Sequence, residues 1–322
     1  MSEAKILVIG SSNMDLVVSV PHMPAIGETI MSSSKEEIPG GKGANQAYTC
    51  AKLGANITFL TAVGEDSFGK AICDNLRQVG IDVEQFTTSR DASTGMAFIY
   101  VDAEGDNSIV VVQGANTQCD SSYLSSKKDI ILSHDILLTQ LEIPNDGVYD
   151  ALKLAKKAGI TTVLNPAPAP KFIPNEVLKA VDFITPNETE LAFLTGMKVV
   201  SEKDAVQASE RLLEKGVKNV IATLGSKGAV LSNEKGYTSF GVPQVKAVDT
   251  TAAGDVFNGA FVTALGKNKC VKDSIRFATA AATAAVTRKG AQSSTPTHQE
   301  VLKYLAIMPS EKCFPRFSQT DC

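Results

Sequence analysis

Six short apolar runs, most of them closing on Gly, Asn or Pro, are spaced along the chain with amphipathic segments between them. They are KILVIG (5–10), ITFLTAVG (57–64), DILLTQLE (135–142), TTVLNP (161–166), DFITPN (182–187) and NVIATLG (219–225). Runs of about five apolar residues without alternation fit strands buried on both faces. The stretches 43–53, 67–79, 145–158 and 202–215 have helical periodicity. Strand and helix in alternation dictate a three-layer α/β/α domain around a mostly parallel twisted sheet.

Two regions break this rhythm. Residues 14–20 with 28–38, and 94–101 with 107–114, read as pairs of strands without helices of their own, the second pair joined by the turn DAEGD (102–106). They predict a small antiparallel β lid, interleaved with the first βαβ units inside a single domain spanning 1–322. Residues 309–322 carry little periodicity and read as a loose tail. The apolar faces of the lid strands predict a homodimer through the lid.

Composition narrows the chemistry. A net charge of −4, with no basic block, argues against a nucleic-acid partner. The 6 cysteines are widely spaced without a C-x-x-C, and the 3 histidines stand apart, which removes zinc frameworks and Ser-His-Asp chemistry. MSEAKILVIG enters an apolar strand with no basic leader, and no window approaches a membrane span, so the expectation is a cytoplasmic protein.

In an open parallel sheet, ligands sit at the carboxyl ends of the strands. The segments there are GSSNMD (10–15), GEDSFG (64–69), LEIPND (141–146), NPAPAP (165–170), TPNETE (185–190) and TLGSKG (223–228). The run VGEDSFGKA (63–71) imitates a phosphate loop at Gly64, Gly69 and Lys70, but Ala71 stands where Ser or Thr would hold magnesium. Glu65 and Asp66 would repel phosphate inside that cradle, so the glycines read as a turn with Asp66 or Ser67 capping the following helix. GSSNMD lacks the further glycines of a dinucleotide loop, which counts against a dehydrogenase.

A better anion site is VDTTAAGDVFNGAFVTAL (248–265). Ala252, Ala253 and Gly254 precede a long apolar helix, so the amides of 252–255 and the helix dipole can face an anion. Asp255 beside them is placed to accept a hydroxyl proton, the general-base arrangement for phosphoryl transfer; the plainer reading is an acid in a first helical turn.

DTTAAGDVFNGA resembles the C-terminal signature of the ribokinase-like family of carbohydrate and nucleoside kinases, and GGKGANQA (40–47), with Gly54 and Gly64 after it, resembles the N-terminal one. With GSSNMD, NPAPAP, TPNETE, TLGSKG and AVTRKGAQSS (285–294), the likeness runs from about residue 6 to 305 and is most similar to the ribose-phosphorylating branch. The resemblance implies ATP and D-ribose as substrates, phosphorylation at O5, and Mg2+ and K+ as cofactors. It implies that Asp255 is the base and that the amides of Ala252, Ala253, Gly254 and Asp255 form the anion hole. The sugar pocket it implies is Asn13, Met14, Asp15, Gly41, Lys42, Gly43, Ala44, Asn45 and Glu142, together with Asp255. Carboxylates such as Asp15 and Glu142 can accept adjacent sugar hydroxyls in pairs.

For the nucleotide, the resemblance implies Asn187, Thr223, Leu224, Gly225, Ser226, Lys227, Gly228, Gly254, Asp255 and Thr279. Asn187 and Glu190 resemble a magnesium-positioning pair acting through water, although the same spacing makes a helix capping box. The Asp249 carboxylate, the carbonyls of Thr251, Ala285, Arg288 and Gly290, and Ser294 are implied to hold potassium. Family members often carry Gly where this chain has Ala252. A related sugar or nucleoside kinase, for deoxyribose or fructose, and a non-catalytic sugar-binding protein are the alternatives.

Overall fold

The computed structural model describes residues 3–315. Nine strands form the main sheet, in the order Asn56–Leu60, Lys5–Ile9, Ile136–Thr139, Thr161–Leu164, Phe183–Ile184, Asn219–Thr223, Ala229–Asn233, Gly236–Phe240 and Lys312–Pro315. The first six coincide with the six apolar runs and are parallel to one another, whereas the last three are joined on antiparallel. Alternation of side chains across the strand divides the core in two. Ile6 and Val8 join the cluster under the helices Lys42–Lys52, Ala253–Gly266 and Val271–Ala285. Leu7 and Ile9 join the opposite cluster, under Asn145–Lys157 and Glu202–Glu214.

A second sheet has the order Ser34–Gly40, Asn13–Ser19, Gly95–Val101, Asn107–Val112. Each outer strand is antiparallel to its inner neighbour, and the two inner strands run parallel, because both leave the main domain in the same direction. The return strand of the first pair begins at Ser34, not at residue 28. Asp102 and Asp106 close the turn of the other pair.

The reading of 309–322 as a loose tail is corrected at Lys312–Pro315. This segment finds free backbone partners on the edge strand Gly236–Phe240, and Phe314 stacks on Tyr237 with ring centroids 4.6 Å apart. Residues 316–322, with Cys322, lie outside the described residues. The false phosphate loop is a helix start: Asp66 caps Ser67–Arg77 by accepting from the Gly69 amide, and it also accepts from the Thr94 amide and hydroxyl. The five described cysteines are all free.

Candidate active site

The helix Lys42–Lys52 carries the N-terminal motif to the strand ends. Its N-cap, Gly41, has φ 88°, a left-handed conformation that suits glycine, and offers no capping side chain. Glu142, a hundred residues on, supplies the cap instead: one carboxylate oxygen accepts from the Lys42 amide at 3.1 Å and from the Ser11 hydroxyl at 2.6 Å. Gly43 packs so closely on Gly10 that an added Cβ would lie 2.5 Å from the Gly10 carbonyl carbon. The helix therefore presses directly on the first strand.

The same helix crosses Ala253–Gly266. Gly259 permits that crossing, since a Cβ there would lie 2.7 Å from the Gln46 carbonyl oxygen and from the Thr49 Cβ. Asp255 is one turn above Gly259 on the same face. Its carboxylate is buried, 5% exposed, and accepts from Asn45 Nδ2 at 3.0 Å and from Gln46 Nε2 at 2.9 Å.

Asp15 enters from the small sheet, diagonal to Gly40 on the paired strand, where a Cβ would lie 2.2 Å from its carboxylate. Burial, then the charges of Glu142 and Asp255, push Asp15 up from 3.8 to about 7, with Lys42 pulling the other way. Asp255 above all, helped by Glu142, Glu190 and Asp15, holds the Lys42 ammonium above its usual value against burial. Asn13 is tied through its Oδ1 to Asn116 Nδ2 at 2.7 Å. The structure thus brings Asp15, Lys42, Glu142, Glu190 and Asp255 within electrostatic reach of one another. The side chains of Met14 and Ala44 are buried in the core, 2% and 0% exposed.

Beside this cluster lies a cavity of about 500 Å³, with Ala253 and Gly254 in its wall. Asn187, Thr223, Gly225, Ser226, Gly228 and Thr279 also line it. The Leu224 side chain is buried in the core, 2% exposed, and Lys227 turns its ammonium to Glu188 and the Val200 carbonyl, both at 3.1 Å. The Thr279 hydroxyl donates to the Ile275 carbonyl of its own helix, which leaves its oxygen able only to accept. The sequence reading missed the opposite wall, Val242 to Val245 with Ala247, and Ala282 and Val286 on the 271–285 helix. Apart from Val286, which falls in the 285–294 motif, those residues carry no charge and no motif, so only the fold assembles them.

Of the four amides at the helix start, the Ala253 N–H donates to the Thr250 carbonyl at 3.2 Å. The amides of Ala252, Gly254 and Asp255 donate to no acceptor among the described residues. Ala252 has φ 56°, in the left-handed region where the family's glycine is at ease.

Asn187 and Glu190 form a complete capping box: Asn187 Oδ1 accepts from the Glu190 amide, and Glu190 Oε2 accepts from the Asn187 amide. Burial raises the Glu190 carboxyl, opposed by that amide and by Lys42. Among the described residues no three His, Cys, Asp or Glu side chains could enclose a metal ion. At the other loop, hydrogen bonds from Thr251 and Gly290, each 2.8 Å, hold Asp249 below the usual carboxylate value against its burial. The Ala285 carbonyl accepts from the Arg288 amide and the Ser294 hydroxyl donates to the Ala291 carbonyl. The carbonyls of Thr251, Arg288 and Gly290 accept no hydrogen bond among the described residues.

Comparison with known proteins follows this geometry. The family model described as pfkB family carbohydrate kinase matches residues 3–298. A ribokinase of Haemophilus influenzae is 45% identical over 304 residues, covering 92% of this chain and 97% of that protein. A deoxyribokinase of Salmonella typhi is 36% identical over 302 residues, covering 94% and 99%. The structure of Arabidopsis thaliana ribokinase complexed with ribose and ATP superposes with a TM-score of 0.89 at 36% identity, covering 95% of this chain and 99% of the other.

Proposed function

This chain belongs to the pfkB family of carbohydrate kinases, and from that premise we propose that it transfers the γ-phosphoryl group of ATP to O5 of D-ribose, giving ribose 5-phosphate and ADP. One observation carries the reading: a buried carboxylate, Asp255, stands between a sugar-sized cluster of charged groups and a nucleotide-sized cavity, with unpaired amides beside it. Asp15 and Glu142 accept hydroxyl hydrogens of the sugar, with Asn13, Asn45 and Lys42 completing the polar wall and the 41–43 backbone closing over it. Asp255 takes the O5 proton as O5 attacks the γ-phosphorus and the bond to the bridging oxygen of ADP breaks. The amides of Ala252, Gly254 and Asp255 face the transferring group, where the 253–266 helix dipole adds positive potential.

A magnesium ion bound with the nucleotide neutralises charge on its phosphate oxygens. Glu190 suits it through water, since one of its oxygens is committed to the cap and the other is not; the Asn187 oxygen is already taken. Potassium suits the loop pair 249–251 and 285–290. Three carbonyls there lack partners, Asp249 supplies the charge, and its bond to Gly290 already joins the two segments.

The small sheet acts as a lid over the sugar and as a homodimer surface. Its outer strand leaves Ile109, Val110 and Val111 53%, 57% and 48% exposed, so both faces of an unpaired edge are apolar and uncovered. Among the described residues no helix is long and apolar enough to cross a membrane, which fits a cytoplasmic enzyme.

The test is coupled ADP release on a panel of D-ribose, 2-deoxyribose, fructose and a nucleoside, each with and without potassium. Ribose turning over with the highest kcat/KM, raised by potassium, supports the reading. A preference for 2-deoxyribose, the alternative that the Salmonella relative favours, or release without any sugar acceptor overturns it.

A further inference from the structure

We infer that Gln46 is a positioning residue for phosphoryl transfer, fixing the direction of the Asp255 carboxylate, and that Gln140 in turn fixes Gln46. The inference rests on Asp255 acting as the base.

A carboxamide has one accepting end and one donating end, and an ionised carboxylate only accepts. Gln46 must therefore turn Nε2 to Asp255, which it does at 2.9 Å, with Asn165 Oδ1 taking a second hydrogen bond at 3.1 Å. Its Oε1 then faces Gln140, which supplies Nε2 at 2.6 Å. The cost appears at the end of this chain. Gln140 Oε1 is buried and has no hydrogen-bond partner among the described residues, an exception in folded interiors. Turning the Gln140 amide over would set its oxygen against that of Gln46. The orphan is thus the consequence of keeping every donor directed at Asp255.

The other carboxylate oxygen is served by a chain of the same polarity. Asn45 donates to it at 3.0 Å, Gln292 donates to Asn45 Oδ1 at 3.1 Å, and Asn75 donates to Gln292 Oε1 at 2.5 Å. Pinned through both oxygens, Asp255 cannot rotate. Asn45 keeps 7% exposure at the sugar end, whereas Gln46 and Gln140 are 0% exposed. Gln46 accordingly acts through Asp255 and not on the sugar. Packing alone does not explain these buried amides, since apolar side chains of the same volume would fill the space and leave no orphan.

The experiment compares Gln46→Met and Gln140→Met with Asp255→Asn, reading kcat, both KM values and the kcat–pH profile per folded molecule. For Gln46→Met, kcat falls about 10–100-fold with the ribose and ATP KM values within about threefold, the mark of a misaligned reacting group. Asp15, Lys42 and Glu190 face Asp255 from the lid strand and the helices 42–52 and 188–195, with Glu142 next to Lys42, and none of them is altered. Gln140→Met leaves Gln46 free to turn and lowers kcat several-fold, again without a KM change.

A kcat for Gln46→Met within about twofold of wild type, or a KM that rises in step with the loss, overturns the inference while a collapsed Asp255→Asn leaves the base reading intact. Full turnover by Asp255→Asn overturns both. Should Gln46→Met fail to fold, Gln140→Met decides: a lowered kcat at constant KM supports the clamp, and an unchanged kcat refutes it.

Discussion

The sugar end and the nucleotide cavity meet at Asp255 and are built by opposite means. At the sugar end, charged groups from four distant segments come within electrostatic reach of one another: Asp15 on a lid strand, Lys42 on a helix start, Glu142 after a strand, Asp255 on another helix, the last two held by hydrogen bonds. The cavity is walled mostly by glycines, alanines, valines and hydroxyl side chains, and its one charged lining residue among those described, Glu188, is paired with Lys227. Charge and directionality suit a small acceptor with several hydroxyls to be told from its isomers. Shape and main-chain groups suit a large ligand that brings its own charge. The sugar end should therefore respond to changes of hydrogen-bonding chemistry, and the cavity to changes of volume.

Asp15→Asn gives the largest effect of this kind. It raises the ribose KM about 10–100-fold, the size of losing hydrogen bonds to a charged acceptor, while the ATP KM stays put. The same group makes sugar binding depend on pH. With Asp15 near 7, the accepting carboxylate is lost as pH falls through that value, so ribose KM rises below pH about 7. Stability moves the other way. A folded value of about 7 against 3.8 means that the folded state binds the proton more tightly. Its stabilising contribution is complete below 3.8 and lost as pH rises through about 7. Without sugar, Asp15→Asn should thus melt higher than wild type at pH 8, a gap that narrows towards pH 4 in a thermal scan.

Gly259→Ala forces apart the helices that bring Gln46 to Asp255, and should cost about 1–3 kcal/mol of stability by overpacking and lower turnover with it. Ala282→Leu fills the cavity and raises the ATP KM about tenfold without touching the ribose KM; equal changes in both would break the division between the two ends. Ala252→Gly is the smallest. It relieves a left-handed alanine and should stabilise by up to about 1 kcal/mol in denaturant melts, with turnover unchanged.

The division also explains what was legible in the sequence. The six apolar runs give the parallel part of the sheet because burial on both faces leaves an unbroken pattern. The strand Lys312–Pro315 that ends the antiparallel extension is only 4 residues long and fully exposed, so nothing in its composition sets it apart from a tail. At the site, Asp15, Lys42, Glu142 and Asp255 stand in motifs with glycines or at strand ends and are readable as chemistry. Gln46 was in plain view beside Asn45, but a neutral amide on a helix looks like any surface residue until its partner, 209 positions away, is known. The 242–247 wall of the cavity, VPQVKA, is sequence without a recognisable motif. Local pattern reveals charged residues in tight turns; it does not reveal neutral ones assembled across the fold.

The central claim is that Asp255 takes the sugar proton while the sugar is held by other groups. Ribose binding to Asp255→Asn by calorimetry, beside its ADP release with ribose and ATP, tests this directly. The account predicts binding within about threefold of wild type and turnover reduced about 10²–10⁴-fold. Turnover near the wild-type rate, or ribose binding lost together with activity, would contradict it.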